Sequence, residues 1–142
     1  MVFKFNISHK GKTAKFEIEN EELVGQIIGS KINGVSVSPD LEGYELEITG
    51  TSDKAGFPGL PEIKGPQLKK VLLGYGRGMH KHPRREGKKK VSSADGLRLK
   101  KSVRGNEISL NTVQVNTKVT KEGSKKFDDL FKKEEVAEPT SQ

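Results

Sequence analysis

The distribution of charge along the chain limits what this sequence can fold into. Residues 64–105 contain fourteen Lys and Arg but only two acids, Glu86 and Asp95, which gives this segment a net charge of +12. Residues 1–63 carry a net charge of −4, and residues 106–142 carry −1. Because so cationic a segment repels itself, it resists packing into a core and is stabilised beside a dense polyanion. A nucleic-acid phosphate backbone is the most common partner of this kind.

The rest of the chain predicts a small, mainly β fold. Only 31% of the 142 residues are apolar, so the core must be small. Apolar and polar residues alternate over positions 3–7, 14–18, 44–48, 97–103 and 113–119. This is the period of strands with one buried face. Gly-rich turns between them favour a small β-barrel of short antiparallel strands, because a closed barrel has no exposed edge.

A long basic loop interrupts the strand pattern. Residues 74–96 contain seven Lys and Arg and five glycines, with almost no apolar side chains. A segment of this length without a structural signal is typical of functional or disordered loops. We therefore expect it to be disordered when free and ordered by its binding partner.

The C-terminal residues predict a different element. Phe127, Leu130 and Phe131 are spaced as on one face of a short amphipathic helix. The expected organisation is thus a β-barrel domain over 1–120, which includes a basic arm at 64–104, followed by a short helix and solvated tail at 121–142.

Three motifs suggest other chemistry, but each is better explained otherwise. Gly11-Lys12-Thr13 resembles the end of a phosphate-binding loop, but Asn6 replaces the first glycine, so a hairpin turn is favoured. Gly74–Gly78 echoes a dinucleotide fingerprint, but Pro83 prevents the helix that should follow. The close pair His80 and His82 has no cysteine and few acids nearby, so phosphate or base contact is favoured over a metal.

The candidate site is therefore a basic nucleic-acid-binding arm, and no catalytic set, metal site, cofactor or membrane-spanning segment is expected. Tyr75 either stacks on a base or packs against the barrel, and the sequence leaves both alternatives open. No DNA-binding helix motif is present, so folded RNA is the favoured partner. The expected RNA-binding residues are Lys69, Lys70, Arg77, Lys81, Arg84, Arg85, Lys88, Lys89, Lys90, Arg98, Lys100, Lys101 and Arg104.

Several of these segments together resemble one family. The stretch from Ile48 to Pro58, ITGTSDKAGFP, is similar to the signature of small-subunit ribosomal protein six of the archaeal and eukaryotic type. The run Val71-Leu72-Leu73, the run from Val103 to Ser109 and the opening from Phe3 to Thr13 also match, in family order. At two positions the chain departs from the family, which usually has glycine in place of Thr51 and methionine in place of Gly59.

The resemblance implies a structural protein of the small ribosomal subunit with a β-barrel core, without catalysis and without an obligate cofactor. It implies small-subunit rRNA and neighbouring ribosomal proteins as partners, no small-molecule substrate, and a cytoplasmic location on the ribosome. The short C-terminal region resembles archaeal members more than eukaryotic ones. The alternative function is a non-ribosomal RNA-binding or ribosome-assembly module that binds transiently.

Overall fold

The computed structural model describes residues 2–19, 21–82 and 96–127, and they form a mainly β structure, as predicted. Three single turns of 3₁₀ helix, Glu21–Leu23, Gly34–Ser36 and Pro39–Leu41, lie between strands. The strands are β1 (Phe3–His9), β2 (Lys12–Ile18), β3 (Lys31–Asn33), β4 (Glu45–Asp53), β5 (Leu68–Leu73), β6 (Leu99–Arg104) and β7 (Thr112–Lys121).

The first two strands form the hairpin that the alternating pattern predicts. Phe3 pairs with Ile18 and His9 with Lys12 across an antiparallel ladder. Lys10 and Gly11 form the turn with φ of 45° and 83°. Two successive positive φ values are typical of the tight turns that match strand twist, and glycine adopts them at little cost.

The predicted β-barrel is wrong, because the sheets do not close. Five strands form an open sheet in the order β2-β1-β7-β4-β3, and β5 pairs only with β6 as a separate two-stranded ribbon. A closed barrel would require the outer strands β2 and β3 to pair with each other, but β3 is only three residues long. Single bridges such as Gly59 to Arg104 join the ribbon to the body in place of a continuous ladder.

The prediction that all strands are antiparallel is also wrong at one position. β1 and β7 pair in parallel, with Lys4 beside Gln114 and Ser8 beside Lys118. The other strand pairs are antiparallel. The last strand of the described chain is therefore the central strand of the sheet, between β1 and β4.

The core lies on one face of this sheet. Phe3, Phe5 and Ile7 of β1, with Leu46 and Ile48 of β4, are fully buried. The segment between β2 and β4 covers them with side chains that include Leu23, Leu41 and Tyr44. Burial of a large aliphatic or aromatic side chain contributes about 1.5–3 kcal/mol, so this cluster is the main stabilising element of the body.

The glycine-asparagine pair after β6 does not form the tight hairpin that its sequence suggests. The chain instead crosses from the ribbon to the sheet, and Asn106 is hydrogen-bonded to the loop at 61–65. The backbone N–H of Asn106 donates to the carbonyl of Ile63 at 2.7 Å, and its side-chain oxygen accepts from Gly65 at 3.3 Å. Gly105 lies so close to Gly65 that a Cβ there would overlap the Gly65 carbonyl.

The two segments predicted to lie outside the barrel are only partly described. Residues 74–82 form an ordered turn, bridged between Gly76 and Met79, so disorder is wrong for this part. Met79 is buried with 1% exposure. The remainder of the predicted loop, 83–95, lies outside the described residues. So does the predicted C-terminal helix beyond Phe127, a residue that is itself buried.

Candidate nucleic-acid interface

The β5–β6 ribbon has an inner and an outer face. Directly paired residues share a face in an antiparallel ladder. Lys69 pairs with the buried Val103, so this row, which includes half-buried Val71 and Leu73, faces the body. The outer face consists of Leu68, Lys70 and Leu72 opposite Arg104, Ser102 and Lys100.

Predicted RNA-binding residues of the two strands fall on both faces. Lys70 and Lys100 are exposed on the outer face, where Leu72 is 54% exposed between them. Lys69 and Lys101 are on the inner face, although the Lys69 side chain is exposed and its Nζ donates to the carbonyl of Lys64 at 3.5 Å. Sequence alone could not separate these adjacent lysines into two rows.

Arg104, at the end of the outer row, is held by contacts with the body. Its Nε donates to Oδ2 of Asp53 at 2.8 Å and its Nη1 to the carbonyl of Pro66 at 3.1 Å. The Asp53 side chain is 5% exposed and that of Arg104 is 23% exposed. A carboxylate this buried needs its cationic partner, so Arg104 has a structural role that sequence reasoning missed.

The other described cations of the arm form no ion pair. Residues 64–82 and 96–104 contain nine Lys and Arg and no acid, and within these described ranges only Arg104 forms an ion pair. Arg98 is exposed at the same end of the ribbon as the turn at 74–82. The arrangement produces a positive surface that attracts a polyanion.

The turn at 74–82 carries a small aromatic cluster. The ring of Tyr75 lies 5.9 Å from that of His80 and 4.6 Å from that of His82, measured between centroids. Tyr75 remains 53% exposed. The cluster offers an aromatic surface beside cations, which is the combination that holds unpaired bases. Lys81 is exposed within the same turn.

Five of the predicted residues lie outside the described part of the chain. They are Arg84, Arg85, Lys88, Lys89 and Lys90. The described residues on either side, His82 and Gly96, place this segment between the turn and the start of β6. These five residues stay predictions.

A second polar surface covers the face of the five-stranded sheet turned away from the core, here called the outer sheet face. Because side chains alternate along a strand, this face carries the polar residues between the buried ones. At its centre Oδ1 of Asn116 accepts from Asn6 Nδ2 at 3.1 Å and from Gln114 Nε2 at 2.8 Å. We call these three side chains the amide row.

The outer sheet face connects to the arm. The hydroxyl of Thr49 donates to the carbonyl of Asn116 at 3.0 Å, and Nη1 of Arg77 donates to the carbonyl of Thr49 at 3.2 Å. Arg77 therefore lies at the border between the cationic arm and the amide row. Sequence reasoning missed the amide row, whose only signal was amides instead of charges between the buried strand residues.

A third cluster lies at the tip of the first hairpin. His9 Nε2 and Lys10 Nζ contact Oε1 of Glu122 at 2.5 Å and 2.6 Å. Hydrogen bonds from Lys10 and His9 lower the pKa of Glu122 below its ordinary value of 4.5. The His9 ring also packs edge-on against Phe127 at 5.4 Å, so the cluster fastens the segment after β7 to the hairpin.

Other kinds of site find little support. In the parts of the chain that the structure describes, no three His, Cys, Asp or Glu side chains are grouped so as to hold a metal ion. Over the same residues, no helix is long and apolar enough to cross a membrane.

Comparison with known proteins decides the family. The family described as Ribosomal protein S6e matches residues 3–132. The chain belongs to this family. The Methanococcus maripaludis protein named "Small ribosomal subunit protein eS6" is 43% identical over 126 residues, which cover 87% of this chain and 91% of the relative. Proteins of the same name from Methanothermobacter thermautotrophicus and Methanobrevibacter smithii are 38% and 37% identical, over 92% of this chain and 96% and 93% of theirs.

Membership in the S6e family confirms the resemblance drawn from the motifs, and these archaeal relatives fit its archaeal character. The signature stretch from Ile48 to Pro58 forms the end of β4 and the loop that follows it. There, Thr51 and Gly59 are in contact. A Cβ on Gly59 would lie 2.1 Å from the Thr51 hydroxyl.

Proposed function

We propose that this chain is a structural constituent of the small ribosomal subunit and that it binds rRNA along the β5–β6 ribbon and its turn. Membership in a ribosomal protein family, with relatives named as small-subunit proteins, supports the first part. The cations of the described residues 64–82 and 96–104, among which only Arg104 forms an ion pair, support the second and carry the proposal. The protein would then work in the cytoplasm on the ribosome, beside neighbouring ribosomal proteins.

In this proposal the outer face of the ribbon lies along the phosphates. Lys70 and Lys100 neutralise charge there, while Arg77, Lys81 and Arg98 extend the contact at the end of the ribbon. Arginine also binds phosphate through two parallel hydrogen bonds. Tyr75, flanked by two imidazole rings, is placed to stack on an unpaired base. Residues 1–120 form the rRNA-binding part, and 121–142 a tail whose first residues contact the body.

Salt dependence of binding to protein-free small-subunit rRNA tests this proposal. If about seven phosphates are contacted, log K should fall with log salt at a slope of about −5, since each contact contributes about −0.7. The double variant Lys70→Gln/Lys100→Gln should make the slope shallower by about 1.4. A flat slope for the unmodified protein would refute the proposal.

Two control variants separate binding from folding. Lys54→Gln/Lys126→Gln removes the same charge at exposed positions outside the ribbon and the outer sheet face, and it should leave the slope nearly unchanged. Arg104→Ala should instead lower thermal stability, because it leaves Asp53 buried without its partner, at a cost of about 3 kcal/mol. The ribbon double variant should unfold at the temperature of the unmodified protein.

Co-sedimentation distinguishes a resident ribosomal protein from a transient assembly module. The protein should remain with small subunits after a high-salt wash. Quantitative release in the wash would favour the transient module.

A further inference from the structure

The outer sheet face has a composition that phosphate binding does not explain. Two of its lysines are paired with acids: Lys4 Nζ lies 3.5 Å from Glu17, and Lys118 Nζ lies 3.0 Å from Glu47. Lys15 and Lys31 also lie on this face, opposite Asn6 and Glu47 on the outer strands. On the central strands β7 and β4, Gln114 and Asn116 with Ser52 and Gly50 form a neutral centre. A neutral hydrogen-bonding surface contributes little electrostatic attraction, so its ligand must be recognised by hydrogen-bonding groups and shape.

The amide row leaves a defined set of hydrogen-bonding groups for such a ligand. Asn116 Oδ1 accepts from both neighbours, so the three amides form one hydrogen-bonded unit. Among the described residues, Asn6 Oδ1, Asn116 Nδ2 and Gln114 Oε1 have no further partner. The row thus offers both acceptors and donors on half-buried side chains that the sheet holds in place.

The surface beside the amide row is open. Gly50 of β4 pairs directly with Asn116, and no atom lies within 4 Å of the position a Cβ would occupy there. A ligand can therefore approach the strand backbone next to Asn116. This open position is next to Thr49, whose carbonyl accepts from Arg77 Nη1 at 3.2 Å.

These observations favour RNA over protein as the occupant. The central strands present amides, hydroxyls, paired charges and a glycine to this face, whereas the centre of a protein interface is enriched in aromatic and other apolar side chains. The wide, shallow minor groove of an RNA helix displays 2′-hydroxyls, each both a donor and an acceptor. Arg77 makes this surface continuous with the arm proposed to bind phosphates.

We propose that the amide row and the open position at Gly50 form a second RNA-binding surface that recognises ribose 2′-hydroxyls in a minor groove. This inference rests on the proposed function. The sheet would contribute affinity that does not depend on salt, and the ribbon would contribute the salt-dependent affinity. The sheet would then supply selectivity for RNA over DNA.

The variant Gly50→Val gives a direct test. The added side chain enters open space, and valine favours a strand, so the protein should unfold at the same or a higher temperature. Because the valine blocks the approach to the amide row, affinity for protein-free small-subunit rRNA should fall about tenfold, with the salt slope unchanged. Thr13→Val, which adds an apolar group at the far edge of the same face, is the matched control and should change neither.

Acylation footprinting of rRNA 2′-hydroxyls supplies a second readout. At saturating protein, the unmodified chain and Lys70→Gln/Lys100→Gln should protect the same riboses. Gly50→Val should leave a subset of them reactive. Asn116→Ala, which removes the shared acceptor and the outward donor, should expose the same subset even if the valine variant fails to fold.

The outcomes separate this inference from the function on which it rests. If Gly50→Val and Asn116→Ala keep full affinity and every protection while the ribbon variant still has a shallower slope, the inference fails and the proposed function stands. If Gly50→Val is excluded from small subunits but binds rRNA normally, the surface contacts a protein and the inference is wrong. A flat salt slope for the unmodified protein would overturn both.

Discussion

At the scale of single residues, Thr51 and Gly59 share one packing site. Thr51 is 8% exposed, and its hydroxyl occupies the space that a side chain at position 59 would need. A Cβ added to Gly59 would also lie 3.0 Å from Ile28 Cδ1 and 3.2 Å from the carbonyl oxygen of Gly105. The glycine at 59 is therefore a packing requirement set by the threonine at 51.

The pair predicts a measurable coupling. Gly59→Ala should destabilise the protein by about 1–3 kcal/mol, because the methyl group overlaps the Thr51 hydroxyl. In a Thr51→Gly background the same substitution should cost much less, since that space is then free. A double-mutant cycle from denaturant unfolding measures the difference. Equal costs in both backgrounds would show that Ile28 or Gly105 sets the limit.

At the scale of elements, the segment after β7 is fastened to two places on the body. Tyr44 donates its hydroxyl hydrogen to the carbonyl of Lys125, and Lys125 Nζ lies 2.6 Å from Asp40 Oδ1. On the other side, Glu122 contacts the first hairpin through His9 and Lys10. These contacts position Phe127, which is 5% exposed in the core.

The lowered pKa of Glu122 predicts sensitivity to acid. A carboxyl group whose folded pKa lies below its unfolded value stabilises the fold fully above the ordinary value of 4.5, and this contribution is lost as pH falls through the lowered pKa. The unfolding temperature of the unmodified protein should therefore exceed that of Glu122→Gln at neutral pH. The two should converge in acid. Parallel curves at all pH values would mean that the contacts of Glu122 add no stability.

The positions of the strands were predictable from the local sequence pattern, but the pairing between strands was not. The period-two runs correctly predicted strands at β1, β2, β4, β6 and β7. No local signal could indicate that β1 lies beside β7, because their residues are more than a hundred positions apart. The barrel prediction failed because it assumed that the sheet must close to remove its edges, whereas β2 and β3 remain as open edges.

The candidate site was predictable to a similar degree. Charge density located the cationic arm, since charge needs no knowledge of the fold. Arg104 and Met79 show the limit of that reasoning. One is a cation held by a buried carboxylate, and the other is a single apolar residue that anchors a Gly-rich turn.

At the scale of the whole molecule, body and arm have separate roles. The sheet and its cover contain the apolar core, whereas the ribbon packs inward through one row of side chains such as Val103. The charges of Lys70 and Lys100 can therefore change without altering the core, whereas Arg104 in the same row is bound to Asp53. This separation explains why the Lys70→Gln/Lys100→Gln variant is expected to change RNA affinity and leave the unfolding temperature constant.

The central position of β7 predicts that the body depends on the end of the described chain. A chain that stops after Asn111 lacks the strand that joins β1 to β4, so it should lack cooperative thermal unfolding. A chain that stops after Phe127 keeps every described strand and should unfold cooperatively. Circular dichroism during heating distinguishes the two. A sharp transition in the shorter chain would show that the hairpin and β4 pair without β7.

The parallel pairing of β1 with β7 also sets an order of events during synthesis. The first hairpin leaves the ribosome early, yet its place in the sheet exists only after the last strand has followed. The strands β5 and β6 are closer together in the sequence than β1 and β7, so they can pair sooner. A growing chain thus presents its cationic surface to nucleic acid before its body has assembled.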